Sequence, residues 1–246
     1  MTKMRVVAII QARMGSTRLP GKVMKDIGGE TMLARVVWRA RRAKLLDEVV
    51  VATTNKSVDT PIIAECGKLG VPVFRGDEQD VLDRYYRSAQ ANRAEAVVRI
   101  TSDCPLIDPE IIDDVVHAFL KTKPDYASNT LNHTYPRGLD TEVMTMTSLE
   151  RAWHESNKPY HRSHVTPYIY QNPDMFRLLS IKGDVDYSSY RWTVDTREDL
   201  NFVRSVYARF NNQDTFGWHN VLKVLVQEPE LINLNRHIRQ KPLEEG

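Results

Sequence analysis

The segment QARMGSTRLPGK, residues 11–22, concentrates the residues of this chain that suit a phosphate group. They fall into three classes, cations, glycines and hydroxyl side chains, and they are Arg13, Arg18, Lys22, Gly15, Gly21, Ser16 and Thr17. Cations neutralise a triphosphate, glycines let the backbone approach a phosphate closely, and hydroxyls add hydrogen-bond donors. The segment therefore predicts a loop that binds the phosphates of a nucleotide.

Two standard nucleotide motifs do not fit this segment. A P-loop has four residues between its glycines and Ser or Thr after its Lys, whereas five residues separate Gly15 from Gly21 and Val23 follows Lys22. No G-x-G-x-x-G pattern follows the preceding apolar run, which argues against a dinucleotide-binding fold. The alternative to a phosphate loop is a solvated basic loop whose glycines only make turns.

The elements that would position this loop follow from the hydrophobic pattern, in which short apolar runs alternate with longer helical stretches. Such alternation is typical of an α/β fold with a parallel sheet covered by helices. The predicted strands are 6–11, 48–53, 71–74, 96–100 and 142–146. The predicted helices are 30–44, 57–69, 80–93, 109–120, 148–156, 196–210 and 218–227. Ligands of these sheets bind beyond the carboxyl ends of the strands, where the basic loop begins.

Asp103 follows the predicted strand 96–100 after a short turn. Its carboxylate is therefore expected at the same edge of the sheet as the basic loop. The alternative is a turn or cap residue before Pro105.

Composition is that of an ordinary globular protein, and it excludes several classes. Of the 246 residues, 41% are hydrophobic and 27% are charged. We expect one domain, with a loop-rich insertion over 124–170 and a polar, poorly packed tail over 233–246. The net charge of +2 gives no general argument for binding nucleic acid or membrane. The apolar runs are too short to span a bilayer and no signal-peptide pattern opens the chain, which favours the cytoplasm. Cys66 and Cys104 are expected to be free thiols.

Four segments together resemble one enzyme family, and they are residues 9–22, 74–86 (FRGDEQDVLDRYY), 99–106 (RITSDCPL) and 164–170 (HVTPYIY). They resemble the cytidylyltransferases that activate acidic sugars, the group containing the KDO and acylneuraminate enzymes, and most of all its SpsF spore coat polysaccharide branch. The resemblance covers about residues 4–205. It implies a Rossmann-like, GT-A-like nucleotidyltransferase fold, a three-layer sandwich with a mostly parallel sheet. It also implies CTP as co-substrate, Mg²⁺ as cofactor, an anionic small-molecule acceptor and a homodimer.

The resemblance assigns roles to individual residues. The nucleotide would be bound by Gln11, Ala12, Arg13, Gly15, Ser16, Arg18, Lys22, Arg75, Gly76, Thr101 and Ser102. The metal would be held by Asp103 and Asp195, and the catalytic set would be Arg13, Lys22 and Asp103. The acceptor would be bound by Arg137, Asp140, Glu142 and His164.

Several of these positions have a structural alternative. Asp195 also fits the N-cap of the next helix, because Glu198 follows it in capping-box spacing. The segment 136–142 also fits a hairpin or a dimer arm. A helix cap and exposed surface charges are a further reading for Asp80, Asp83 and Arg84.

Three functions remain open from the sequence. The favoured one is a cytidylyltransferase that joins CTP to an anionic small acid and releases pyrophosphate, with the acceptor as nucleophile and no covalent enzyme intermediate. The second is a nucleotide-sugar-dependent glycosyltransferase that binds its metal through the triplet Asp184-Val185-Asp186. The third is a nonenzymatic nucleotide-binding scaffold within a polysaccharide-assembly complex.

Overall fold

A mixed seven-stranded sheet organises the computed structural model, which describes residues 3–242. The strands are β1 (Val6–Gln11), β2 (Asp26–Ile27), β3 (Glu30–Thr31), β4 (Glu48–Thr54), β5 (Val73–Gly76), β6 (Ala96–Thr101), β7 (Tyr126–Ser128), β8 (Glu142–Thr145) and β9 (Leu178–Ser180). The helices are α1 (Met32–Arg41), α2 (Thr60–Leu69), α3 (Val81–Ala91), α4 (Pro109–Thr122), α5 (Met146–Glu155), α6 (Pro159–His164), α7 (Pro167–Tyr170), α8 (Arg197–Arg209) and α9 (Trp218–Gln227). The strand order is β5-β4-β1-β6-β8-β7-β9, and β2 and β3 form a separate hairpin.

β1 lies in the middle of the parallel part of the sheet because its sequence, VVAIIQ, is apolar in its first five positions, all of which are buried. Such a strand suits a position with helices on both faces. It pairs in parallel with β4 and β6, so that Ile10 lies opposite Val51 and Ile100. The α/β fold class and the predicted strand 6–11 are confirmed.

Capping side chains fix where several helices begin. Thr31 accepts a hydrogen bond from the Ala34 N–H at 3.0 Å at the start of α1. Asp80 accepts one from the Asp83 N–H at 2.8 Å at the start of α3, which confirms the cap reading of Asp80. The predicted helices are all present, and their ends differ from the prediction by three residues or fewer.

The sheet is mostly parallel, as predicted, and its second half contains the two antiparallel pairs. β8 runs antiparallel to both of its neighbours, β6 and β7, and β7 pairs in parallel with β9. The sequence prediction missed β7, whose three residues, YAS, are fully buried in the sheet. So short a strand carries no periodicity of its own and is defined by its pairing with β8 and β9.

The chain after α9 contacts the main body at Asn235, where the prediction of a poorly packed tail is wrong, whereas most of the described tail, 233–242, is exposed. Asn235 is buried, and its amide donates to the Arg191 carbonyl at 2.8 Å and to Asp199 Oδ1 at 2.9 Å. These two bonds hold the segment after the last helix. The end of the predicted tail, 243–246, lies outside the described residues.

Two further sequence predictions concern thiols and membrane spans. Cys66 and Cys104 are free and buried, as predicted, and burial raises the pKa of the Cys66 thiol to about 11. Within residues 3–242, no helix has the length and apolar character needed to cross a bilayer.

Candidate active site

A cavity of about 900 Å³ opens where β1 and β6 end. Most of the predicted phosphate loop lines it, and the predicted residues among its walls are Gln11, Ala12, Arg13, Gly15, Ser16, Arg18, Lys22, Thr101, Ser102, Asp103, His164 and Asp195. The parallel sheet therefore brings together the loop after β1 and the turn after β6, as the topology requires.

At one side of the cavity, a lysine lies between two carboxylates. The Lys22 ammonium donates to Asp103 Oδ2 at 2.8 Å, to Asp195 Oδ1 at 2.9 Å and to the Val194 carbonyl at 2.9 Å. The Arg18 guanidinium lies 2.9 Å from the same Oδ1 of Asp195. Residues separated by 173 positions in the chain thus form one ion cluster.

Backbone contacts explain how Asp195 reaches Asp103. The Val194 N–H donates to the Asp103 carbonyl at 2.8 Å, which ties the two segments together directly. Behind them, Gly138 has a φ of +107°, and a Cβ at this position would lie 2.7 Å from the Thr193 nitrogen. Only glycine therefore lets the segment around residue 138 pack so closely behind residues 193–195.

The basic loop is held in one conformation by its own backbone and by a buried carboxylate. Asp59 Oδ1 accepts from the Met14 N–H at 2.7 Å. Gly21 has a φ of +65° and its N–H donates to the Met14 carbonyl at 3.1 Å. Leu19 and Val23 are buried and anchor the loop on either side of this turn. Hydrogen bonds and two buried anchors therefore fix the conformation of the loop, while Arg13, Thr17 and Arg18 remain exposed.

A second arginine holds Asp195 from behind. Arg191 donates from Nη2 to Asp195 Oδ2 at 2.7 Å and from Nε to Asp199 Oδ1 at 2.9 Å. The N-cap alternative for Asp195 is wrong, since Thr196 caps α8 in a reciprocal capping box with Asp199. The Asp195 carboxylate is consequently left to bind cations.

The opposite charges of Lys22 and the two carboxylates favour the charged forms of these groups. Burial raises the pKa of the Asp103 carboxyl, but the Lys22 ammonium and the Thr101 hydroxyl outweigh it and the pKa falls to about 2. Burial lowers the pKa of Lys22, but Asp103 and Asp195 outweigh it and the pKa rises. At neutral pH Asp103 is therefore ionised and Lys22 is protonated. We call Arg18, Lys22, Asp103, Arg191 and Asp195 the paired cluster.

The opposite wall is formed by α3 and α6, which an ion pair joins. Asp80 Oδ2 accepts from Arg162 Nε at 3.0 Å, and Arg162 also donates to the Trp153 carbonyl at 2.6 Å. Arg84 of α3 lines the cavity as well and is only 1% exposed, so its reading as an exposed surface charge is wrong. Val81 and Ser88, three residues before and four residues after Arg84, are also buried. This helical spacing is the feature of the sequence that could have indicated that Arg84 is buried.

Five predicted site residues lie outside the cavity walls, namely Arg75, Gly76, Arg137, Asp140 and Glu142. Arg75 donates to the Thr54 carbonyl at 3.1 Å. Glu142 is buried, pairs with Arg99 and accepts from the Tyr126 hydroxyl at 2.6 Å. These two side chains are thus committed to contacts within the fold.

Arg137, Asp140 and the D-x-D triplet also have structural contacts away from the cavity. The Arg137 carbonyl accepts from the Trp192 N–H at 2.7 Å, and Asp140 lies 3.2 Å from the His133 ring. Asp186 is exposed and accepts from the Ser188 N–H at 2.8 Å, which forms a turn. The triplet 184–186 therefore does not meet the phosphate loop.

A model of the family described as cytidylyltransferase matches residues 7–217. The chain belongs to this cytidylyltransferase family. It is 32% identical to the spore coat polysaccharide biosynthesis protein SpsF of Bacillus subtilis, over 92% of this chain and 95% of that one. It is 38% identical to a 3-deoxy-manno-octulosonate cytidylyltransferase of Geobacter sulfurreducens, over 52% of this chain and 50% of that one.

A solved structure of a cytidylyltransferase from Leptospira borgpetersenii has the same fold. It superposes with a TM-score of 0.91 at 35% identity, over 97% of this chain and 100% of that one. The resemblance drawn from the four sequence segments is thereby confirmed, as is the nucleotidyltransferase fold.

The donor set of this site fits a Mg²⁺ ion that a bound nucleotide would help to hold. Such ions take one or two carboxylates together with substrate phosphate oxygens. Asp103 and Asp195 supply two carboxylates, and both already accept from a positive group, the Lys22 ammonium. Within residues 3–242, no group of three or more His, Cys, Asp and Glu side chains could hold a metal alone. Phosphate oxygens would have to complete the coordination.

Proposed function

We propose that this protein is a cytidylyltransferase that transfers CMP from CTP to an acidic sugar or related small acid, for the synthesis of a surface polysaccharide or glycan. The observation that carries this proposal is the meeting of Arg18 and Lys22 with Asp103 and Asp195 in one cavity. Membership of the family supports the transfer reaction. The similarity to SpsF and to the 3-deoxy-manno-octulosonate enzyme supports an acidic sugar as acceptor.

In this reaction the acceptor oxygen attacks the α-phosphate of CTP and pyrophosphate leaves. Negative charge grows on the leaving phosphates, and Arg13, Arg18 and Lys22 stabilise it from the phosphate loop. Mg²⁺ bound to Asp103 and Asp195 would supply Lewis-acid stabilisation of the phosphate oxygens. The protein also has to align the acceptor oxygen with the α-phosphate, and the hydrogen-bonded loop helps because it holds its cations in place before the substrate binds. No enzyme nucleophile is required.

The acceptor would bind near α6, from which Ser163 and His164 line the cavity. This helix belongs to the segment 124–170 that the family resemblance assigns to the acceptor and to dimerisation. We include a cytoplasmic homodimer in the proposal, and light scattering during gel filtration tests its oligomeric state.

A pyrophosphate-release screen tests the proposed reaction. CTP, UTP, ATP and GTP are each combined with keto-acid sugars, phosphosugars and phosphonates, with and without Mg²⁺. We expect release only with CTP, an acidic sugar and the divalent ion. CTP binding without release across the whole panel would instead support the nonenzymatic scaffold. Metal-dependent nucleotide binding that needs Asp184 and Asp186 rather than Asp103 and Asp195 would support the glycosyltransferase.

A further inference from the structure

Among residues 3–242, every buried arginine but one has a carboxylate partner. Four arginines of this range are no more than 6% exposed, and they are Arg35, Arg39, Arg84 and Arg191. Three of them have a carboxylate partner, Arg35 with Asp214 at 2.6 Å, Arg39 with Asp108 at 3.6 Å and Arg191 with Asp199 at 2.9 Å. Arg84 has no carboxylate within 4.0 Å among residues 3–242. It is also the one of the four that lines the cavity.

The hydrogen bonds of Arg84 leave part of its guanidinium unsatisfied. Nη1 donates to the Asp77 carbonyl at 2.7 Å, whereas the buried Nε has no partner in the described part of the chain. A buried charge without a counter-ion and an unbonded N–H both disfavour folding. Both costs would be offset by an anionic ligand in the cavity, which would supply a counter-charge for the guanidinium and a hydrogen-bond acceptor for its Nε–H.

The surroundings of Arg84 leave room for its side chain and leave its positive charge without an ion-pair partner. A Cβ at Gly76 would lie 3.2 Å from Arg84 Cγ, so the glycine leaves room for the arginine stem. The nearby carboxylate of Asp59 is already occupied by the Met14 N–H and the Thr54 hydroxyl. Arg13, an exposed cation of the phosphate loop, lines the same cavity as Arg84, and its like charge adds to burial in lowering the pKa of Arg84. Two cations without acidic partners thus share this part of the cavity.

We propose that Arg84 is a further substrate-binding residue, which together with Arg13 binds an oxyanion of a molecule held in the cavity. The oxyanion is a phosphate of the nucleotide or the carboxylate of the acceptor, since a guanidinium binds both in the same way. This inference deepens the proposed function and rests on it for the identity of the natural ligands. The unpaired positive charge itself is independent of the reaction.

The test compares three variants with the wild type in two measurements. Calorimetry gives the Kd values of CTP, inorganic pyrophosphate and 3-deoxy-manno-octulosonate, and urea unfolding gives the stability of the ligand-free protein. We expect Arg84→Met to weaken binding of CTP and pyrophosphate by about 10- to 100-fold, the range of a lost charged hydrogen bond. Arg84→Lys keeps the charge and is expected to lie between Arg84→Met and the wild type.

Stability distinguishes a binding role from a structural one. Arg84→Met removes an unpaired buried charge, so the ligand-free variant is expected to unfold at the same urea concentration as the wild type or at a higher one. The matched control is Arg35→Met, which strips Asp214 of its buried partner and is expected to destabilise the protein without changing the Kd values.

Each outcome separates the possible conclusions. Weakening of CTP and pyrophosphate assigns Arg84 to a phosphate, and weakening of the sugar acid alone assigns it to the acceptor carboxylate. Unchanged Kd values for all three probes, or a stability loss as large as that of Arg35→Met, would overturn the inference. If the wild type binds pyrophosphate but neither CTP nor the sugar acid, the proposed function fails, while weaker pyrophosphate binding by Arg84→Met still supports the oxyanion site.

Discussion

Two sets of charges lie at the same cavity, and they differ in whether carboxylates of the protein balance them. In the paired cluster, the Lys22 ammonium lies within 2.9 Å of two carboxylates, and Arg191 holds one of these from behind. Arg13 and Arg84 have no acidic partner within 4.0 Å in the described residues, although Arg84 is buried. Carboxylates of the protein balance the cations of the first set, whereas the cations of the second set gain a partner of opposite charge only when an anion binds.

This difference assigns a separate task to each set. Carboxylates that already bind a positive group without substrate are preorganised for a cation, so charge stabilisation needs little rearrangement. An unpaired guanidinium pair gains its partner from the ligand, so it contributes to affinity at the expense of the stability of the free protein. The predictions below probe the paired cluster, since the unpaired arginines have their own test above.

The largest expected effect comes from breaking the support behind Asp195. Arg191→Met removes the guanidinium that pairs with the buried Asp199 and with Asp195 Oδ2, and loss of one partner of a buried ion pair destabilises by about 3–5 kcal/mol. Urea unfolding measures the loss. The matched control is Arg209→Met, which removes the same side chain from an exposed pair with Glu228 and is expected to change stability little. Equal losses in the two variants would mean that the buried network does not hold the cluster.

The next effect comes from removing the shared cation. Lys22→Ala is expected to reduce turnover by about 10²- to 10³-fold, as loss of a preorganised charge donor does in other enzymes. Pyrophosphate release with CTP and an accepted acid measures it, and circular dichroism checks that the fold is retained. Lys25→Ala, three residues after the basic segment and outside the cavity walls, is the control and should leave turnover unchanged. Unchanged release by Lys22→Ala would remove the loop from the mechanism.

The sequence predicted the paired cluster better than the unpaired arginines, and the reason is the range of the interactions. Lys22 and Asp103 each follow a buried strand, so the parallel topology alone places them at one edge of the sheet. The family resemblance supplied Asp195. Arg191 could not be found in this way, because its role depends on contacts with Asp195, Asp199 and the segment after α9.

For Arg84, the sequence can indicate burial but not whether the buried charge has a partner. Its helical spacing indicates a buried face, but whether a buried arginine has a counter-ion depends on which residues pack against it from distant segments. The strand β7 was missed for a similar reason, since three residues paired on both sides need no periodicity. Local patterns therefore predicted the elements and the loop, while charge compensation had to be read from the packed structure.

The smallest expected effect comes from removing the cap of α8, which tests whether the cap and the ion cluster act independently. Thr196→Ala removes the side chain that caps α8, and loss of such a cap costs about 1 kcal/mol. Turnover should be retained, because the Asp195 carboxylate contacts Arg18, Lys22 and Arg191 rather than the helix start. The matched control is Thr145→Ala, which removes a cap of the same kind from α5, and urea unfolding should give similar losses for both. A fall in turnover with Thr196→Ala alone would show that the cap also positions Asp195, so that the two roles are coupled.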